Sequence, residues 1–223
     1  MQPTYPQDQA VTENQATPSR PRPKPGERRV MILQTLAAML EAPKPEKITT
    51  AALAARLDVS EAALYRHFSS KAKMYEGLIE FIEQALFGLV NQIVAKEPNG
   101  VLQARTIALT MLNFAAKNPG MTRVLTGEAL VGEDERLAER VEQMLERIEA
   151  SLRQSLRFAR LEAGERDAPA ATAPAALPAD YDPAVRASLV VSYVLGRWHR
   201  YAKSGFTKPP TEHADAQLRL ILQ

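Results

Sequence analysis

The sequence contains no cysteine among its 223 residues. This absence excludes disulfide bridges, thiolate nucleophiles and cysteine metal sites. Histidine is also scarce, since His67, His199 and His213 are far apart and show no paired ligand spacing. A glycine-rich phosphate loop and a nucleophile elbow are missing as well. We therefore predict that the chain is not an enzyme, holds no metal and needs no cofactor.

Long apolar runs are missing too. The longest, near residues 187–195, is far below the ~20 residues that cross a bilayer as a helix. The N-terminal stretch is polar and rich in proline, without the apolar segment of a signal peptide. We expect a cytoplasmic protein, which would be associated with the nucleoid if it binds DNA.

The charge is small in total but unevenly distributed. The net charge is +2, yet residues 20–75 carry eleven lysines and arginines against five acidic residues, which leaves a mildly acidic remainder. A basic end on an acidic body is typical of a protein that binds a polyanion such as DNA. For Arg20–Lys24, a solvated charge run on a disordered arm is an equally good interpretation.

The most informative stretch is residues 48–71, which reads as two short helices joined by a tight turn. Thr49 is placed to cap the first helix, and Ser60 the second, with Glu61 in its first turn. The apolar positions across the turn recur on one side. They are Leu53, Leu57, Val59, Leu64 and Phe68.

The second of these helices, about eight residues long, presents a small and polar face. At about 100° per residue, Ala62 and Arg66 lie opposite Leu64, with Ala63 and Tyr65 on the flanks. Such a helix suits the major groove of DNA, which admits one α-helix. The pattern predicts a DNA-binding protein.

These residues also carry a family resemblance. The sequence LYRHF followed by SK resembles the TetR family of helix-turn-helix proteins. The longer run VSEAALYRHFSSKAKMYEGLIEFIE (59–83), with ITTAALA before it and NPGMTRVLTGEAL (118–130) after it, resembles the nucleoid occlusion factors of that family. The resemblance implies an all-α, TetR-like fold, in which an N-terminal three-helix helix-turn-helix head stands on a C-terminal helical bundle dimerisation domain. It covers residues 27–165 well and 184–223 loosely.

The chain divides into three predicted parts. Residues 1–26 form a basic, proline-rich arm, 27–72 the helix-turn-helix domain, and 73–223 the dimerisation and partner-binding body, with an Ala/Pro-rich loop at 164–183. A strongly amphipathic stretch at 134–163 is compatible with a short coiled coil, but a helix of a bundle is the better interpretation.

The DNA-contacting residues follow partly from the helix and partly from the resemblance. Ala62 and Ala63 allow close approach to the bases, and Arg66 is the candidate for a hydrogen bond to a base or phosphate. The resemblance implies phosphate contacts from Tyr65 and His67, although partial burial with an exposed polar tip is the structural alternative. The full predicted set is Thr49, Thr50, Ser60, Glu61, Ala62, Ala63, Tyr65, Arg66, His67 and Lys71.

The C-terminal helices predict a homodimer. A helix that begins at Asp182–Pro183 is apolar almost all round, so both of its sides must be covered, and a second subunit is the economical cover. Two heads about one helical turn (~34 Å) apart then require a palindromic DNA site. The predicted interface residues are Leu189, Tyr193, Val194, Trp198, Leu218 and Ile221.

The resemblance also implies a protein partner, the division protein FtsZ, whose tail would bind beside the long helix of the body. The predicted contact residues are Phe81, Leu89, Thr110, Asn113, Lys117 and Asn118. Helical spacing equally allows Phe81 and Leu89 to be ordinary core. The chain departs from the family pattern at Leu89, Thr110 and Asn113.

The resulting functional prediction is a factor that inhibits FtsZ ring assembly over the nucleoid. It would coordinate cell division with chromosome segregation. The alternative is a ligand-responsive TetR-type transcriptional repressor with a cavity in its bundle.

Overall fold

The computed structural model describes residues 26–42, 47–164, 177–178 and 180–223, and over these residues the regular structure is entirely helical. The predicted all-α fold is therefore confirmed. The predicted N-terminal arm up to residue 25, the helix-ending Pro43 and Pro45, and residues 165–176 and 179 of the predicted loop lie outside the described residues. The helices are α1 (Glu27–Met39), α2 (Thr50–Arg56), α3 (Glu61–Tyr65), α4 (Lys71–Lys96), α5 (Gly100–Lys117), α6 (Pro119–Leu125), a 3-10 turn (Glu128–Leu130), α7 (Glu135–Gly164), α8 (Pro183–Lys203) and α9 (Ala214–Leu222).

The head consists of α1, α2 and α3. Both predicted caps are confirmed, since the Thr49 hydroxyl accepts the Ala52 amide at 3.1 Å and the Ser60 hydroxyl accepts the Ala63 amide at 3.3 Å. Helix α3 has only five residues, fewer than the predicted eight, and Arg66 caps its C-terminal end.

The apolar stripe of α1 needs one correction. Helical spacing predicts that Val30 packs on the two-helix unit together with Leu33 and Leu36, but Val30 is 40% exposed and Ile32 is buried instead. Because Val30 lies in the first turn, it projects beyond the surface that α2 and α4 cover. The rest of the stripe, Leu33, Leu36, Ala37 and Leu40, is buried.

The body is a bundle in which α7 packs against α4, α5 and α8. The predicted apolar stripe of α7 is confirmed, because all of its members are buried. At the far end of the bundle the backbones of α5 and α7 touch, since a Cβ on Gly100 would lie 2.0 Å from the Ser155 carbonyl oxygen. The stripe is Leu137, Val141, Met144, Ile148, Leu152 and Leu156.

Helix α4 belongs to both parts, because its N-terminal half packs on α1 and its length runs along α5 and α7. Among the described residues it is the one helix whose length and apolar composition would allow it to cross a membrane. Only 28% of its most apolar window is buried inside the fold. Its exposed large apolar side chains are Leu89 and Val94.

A buried arginine joins the head to the body. Arg123 on α6 is 1% exposed, and its Nη1 donates to the carbonyl oxygens of Leu40 at 2.6 Å and Ala42 at 2.5 Å. Its Nε lies 3.2 Å from a carboxylate oxygen of Glu128, and its guanidinium stacks on Phe206. Arg123 thereby binds the C-terminal end of α1 to the bundle.

We predict that Arg123→Met lowers the free energy of unfolding by about 3 kcal/mol or more, because the two carbonyls lose a charged donor. Urea unfolding at fixed protein concentration measures the loss. Arg157→Met, which removes an exposed arginine of α7, is the matched control and should change stability by less than about 0.5 kcal/mol. Equal, small effects of both changes would show that the junction does not depend on Arg123.

Candidate nucleic-acid and partner interfaces

The helix-turn-helix surface is held together by a chain of polar contacts between α2 and α3. The Thr50 hydroxyl donates to Glu61 Oε2 at 2.5 Å, and the Tyr65 hydroxyl lies 3.4 Å from Thr50 Oγ1. Glu61 thus supports the turn in addition to lying in the first turn of α3. The predicted DNA-contacting residues Thr50, Glu61 and Tyr65 are brought together on one surface.

The outward face of α3 is open as predicted. Ala62, Arg66 and His67 are exposed, Ala63 is half-buried, and Leu64 is buried on the opposite side. Tyr65 keeps 45% of its surface exposed. The face therefore offers two small side chains and a cationic one, a combination that fits a groove carrying base edges and phosphates.

Lys71, which is predicted to contact DNA, forms an ion pair with the body of the protein. Its Nζ lies 2.5 Å from Glu133 Oε1, a residue of the body 62 positions away, and 5.7 Å from the centre of the Tyr75 ring. Burial, and secondly the negative charge of Glu133, raises the pKa of Tyr75 to about 12. Sequence spacing gives no signal of this ion pair, because the two residues come together only in the folded bundle.

Helices α4 and α5 pack against each other, and the contacts of α4 show which of its flanks faces away from α7. Glu83 is paired with Arg147 of α7, and the Phe87 ring lies 4.2 Å from the same guanidinium, so these residues mark the α7 flank. At about 100° per residue, Phe81 and Leu89 lie on the other flank of α4. Phe81 packs partly against the core, whereas Leu89 is 39% exposed.

Helix α5 supplies the second flank of this surface. Gln103 donates its amide to the Glu97 carbonyl at 2.7 Å, which identifies the flank of α5 that faces α4. Thr110 lies on the same flank seven residues, or two turns, further along, and Phe114 lies on it eleven residues, or about three turns, further along. The opposite flank is occupied by the Arg105–Asp215 ion pair with α9.

We call the surface formed by these flanks of α4 and α5 the α4/α5 groove. Its edge on α5 is polar. Asn113 and Lys117 are exposed, while the Asn118 amide donates to the Phe114 carbonyl at 2.8 Å. The predicted partner residues thus cluster along one surface, with Phe114 as a member that the sequence argument missed. Their contact with a partner stays a prediction.

The predicted dimer interface requires a correction. Val194, Trp198 and Leu218 are 0% exposed inside their own chain, and Trp198 Nε1 donates to the Met111 carbonyl of α5 at 3.3 Å. The prediction that these three contact a second subunit directly is wrong. The reason is that α5 and α7 already cover one side of α8.

The uncovered side of α8 remains a candidate interface. Leu189 is 47% exposed, Val185 is exposed four residues before it, and a Cβ on Gly196 would meet nothing within 4 Å. Leu220 is exposed on the neighbouring α9, whose position is fixed by the Tyr193 hydroxyl donating to Gln217 at 2.6 Å. Tyr193 and Ile221 are partly buried at the edge of this surface.

Comparison with known proteins identifies both halves of the chain. Residues 32–78 match the model of bacterial regulatory proteins of the tetR family, and residues 99–223 match the SlmA-like model described as a tetracyclin repressor-like C-terminal domain. The chain is 46% identical to the nucleoid occlusion factor SlmA of Alteromonas mediterranea, over 88% of this chain and 95% of the relative. It is also 46% identical to that of Idiomarina loihiensis, over 88% and 94%.

Solved structures support the fold independently. A TetR transcription regulator from Haloarcula marismortui superimposes with a TM-score of 0.69 at 13% identity, covering 87% of this chain and 96% of that one. The TetR-family regulator PfmR from Thermus thermophilus gives 0.64 at 21% identity, covering 86% and 96%. These similarities concern the fold alone.

Proposed function

The chain belongs to the SlmA-like nucleoid occlusion factors of the TetR family, and on this basis we propose that its dimer binds palindromic chromosomal sites and inhibits FtsZ ring assembly over the nucleoid. The observation that carries the proposal is the 46% identity to relatives named nucleoid occlusion factor SlmA, over nearly their whole length. Such a protein acts in the cytoplasm on the nucleoid, as a regulator rather than an enzyme.

The DNA part of the proposal rests on the exposed face of α3. Its five residues reach only a few base pairs, and one good bidentate contact discriminates between bases by about 1–3 kcal/mol. A second head related by a twofold axis doubles the number of bases read. Ala62, Ala63 and Arg66 would face the bases, while Thr49, Tyr65 and His67 would position the head on phosphates.

The partner part rests on the α4/α5 groove. Phe81 and Leu89 supply apolar area and Lys117 supplies a positive charge, so this surface suits a segment with apolar and acidic side chains. The exposed apolar side chain of Leu89 supports a binding role for this surface. We assign the tail of FtsZ as the occupant.

The experiment that tests this function combines purified protein, purified FtsZ and a palindromic duplex, and follows FtsZ polymers by light scattering and sedimentation. We expect fewer or shorter polymers when the protein is loaded with duplex than when FtsZ is alone. If FtsZ polymers are unaffected with and without DNA, the function is that of the alternative, a ligand-responsive repressor.

A separate prediction concerns Lys71. Lys71→Ala should make the salt dependence of DNA binding shallower by about 0.9 in log–log slope, because one phosphate contact is lost, and should leave the base preference unchanged. Glu133→Gln, which removes the competing carboxylate 2.5 Å from Nζ, should instead tighten binding. Titrations of a labelled duplex at several salt concentrations measure both effects. A changed sequence preference in Lys71→Ala would contradict the phosphate role.

A further inference from the structure

An arginine outside the predicted DNA-contacting set touches the end of the recognition helix. Arg29 lies in the first turn of α1, 38 residues before the backbone that it contacts. Its Nη1 donates to the His67 carbonyl oxygen at 3.2 Å, and its guanidinium carbon lies 4.2 Å from the centre of the Phe68 ring. Both contacts fall immediately after α3.

Helix α3 needs such support because of its length. Isolated helices shorter than about 12 residues are marginal in water, and α3 has five residues. Its N-terminal end is fixed by the Ser60 cap and by the Thr50–Glu61 hydrogen bond. A cation at the carbonyl end complements the helix dipole and satisfies a carbonyl that the helix leaves free.

The Phe68 ring shows how closely this end is packed. A Cβ on Gly77 of α4 would lie 2.8 Å from a ring carbon of Phe68, so the ring occupies the space that a larger residue at 77 would take. Phe68 is thus held between α4 and the guanidinium of Arg29. The Phe68 ring and the His67 carbonyl together fix the orientation of α3 within the head.

We infer that Arg29 is a positioning residue for sequence-specific DNA recognition, acting through the His67 carbonyl and the Phe68 ring rather than by contact with DNA. This inference rests on the proposed DNA-binding function. If α3 is not held in place, Arg66 can still contact phosphates. However, Ala62 and Arg66 are then no longer held at a constant angle in the DNA groove. Arg29 therefore contributes to the discrimination between sites more than to non-specific affinity.

The test compares Arg29→Gln with Arg28→Gln, which removes the same charge from the neighbouring position. Each variant is titrated with a palindromic duplex and with a scrambled duplex at several salt concentrations. For Arg29→Gln we expect about tenfold weaker binding to the palindrome, as for the loss of one charged hydrogen bond. Binding to the scrambled duplex and the salt slope should match those of Arg28→Gln, and Arg29→Lys should recover part of the specificity.

Two results would overturn the inference. A salt slope shallower by about 0.9 in Arg29→Gln than in Arg28→Gln would make Arg29 a direct phosphate contact. An unchanged ratio of palindrome to scrambled affinity would give it no positioning role. Should Arg29→Gln fail to fold, Arg29→Lys decides alone, since it keeps the charge and loses the planar guanidinium. Its ratio of palindrome to scrambled affinity must then fall below that of the wild type, while its salt slope stays unchanged. Failure of the wild-type protein to bind any duplex would instead refute the DNA-binding function itself.

Discussion

Leu189→Glu should convert the protein to a monomer and weaken its binding to a palindromic duplex by about a hundredfold or more. Leu189 is 47% exposed on the side of α8 that no element of the described part of the chain covers. At a twofold interface the change places two carboxylates close together in an apolar surface, where desolvation and like-charge repulsion both oppose association. Binding of the second head then no longer benefits from its attachment to the first, an advantage commonly worth 10²–10⁴ in affinity.

Sedimentation equilibrium gives the mass of the variant, and fluorescence anisotropy of a labelled duplex gives its affinity. Val94→Glu is the matched control, because Val94 is an apolar residue of similar exposure on α4, which packs on α5 and α7. It should leave mass and affinity unchanged. A Leu189→Glu protein that sediments as a dimer would move the interface to another surface.

Leu89→Glu should abolish the inhibition of FtsZ polymers while leaving DNA binding intact. Leu89 is 39% exposed on the flank of α4 opposite its α7 contacts. A carboxylate there removes apolar contact area and repels the acidic residues of the proposed tail. The head is unaffected, because the packing of α1 concerns the N-terminal half of α4.

The readouts are FtsZ light scattering and duplex titration on the same protein preparation. Phe158→Glu is the control, since it charges an exposed apolar residue of similar accessibility on α7, outside the groove. It should retain full inhibition. Equal loss of inhibition in both variants, or inhibition by Leu89→Glu at the wild-type level, would contradict the assignment of the groove.

The local features of this fold could be predicted from sequence because they depend on neighbouring residues. The Thr49, Ser60 and Asp182 caps each require a side-chain oxygen and an amide two or three positions away, and all three are confirmed. The α7 stripe depends only on the 3.6-residue period. The resemblance of residues 59–83 and 118–130 to the TetR-family motifs predicts the order of the helices in the fold.

The features that could not be predicted depend on residues distant in sequence. Periodicity shows that α8 is apolar on two sides, but it does not say which side its own bundle covers, so it wrongly predicts Val194 and Trp198 as contacts with a second subunit. The partners of Lys71 and Arg123 could not be predicted either, since they lie 62 and 83 residues away in the sequence. A lone charged residue in a sequence does not reveal its partner.

The central claim is that one dimer holds DNA with its heads and FtsZ with its body at the same time. The most direct measurement is sedimentation velocity of a fluorescent palindromic duplex with the protein and FtsZ, followed at the wavelength of the duplex. The account predicts that FtsZ increases the sedimentation coefficient of the protein–duplex complex, and that Leu89→Glu prevents the increase. Displacement of the duplex by FtsZ, or a coefficient independent of FtsZ at saturating concentration, would contradict it.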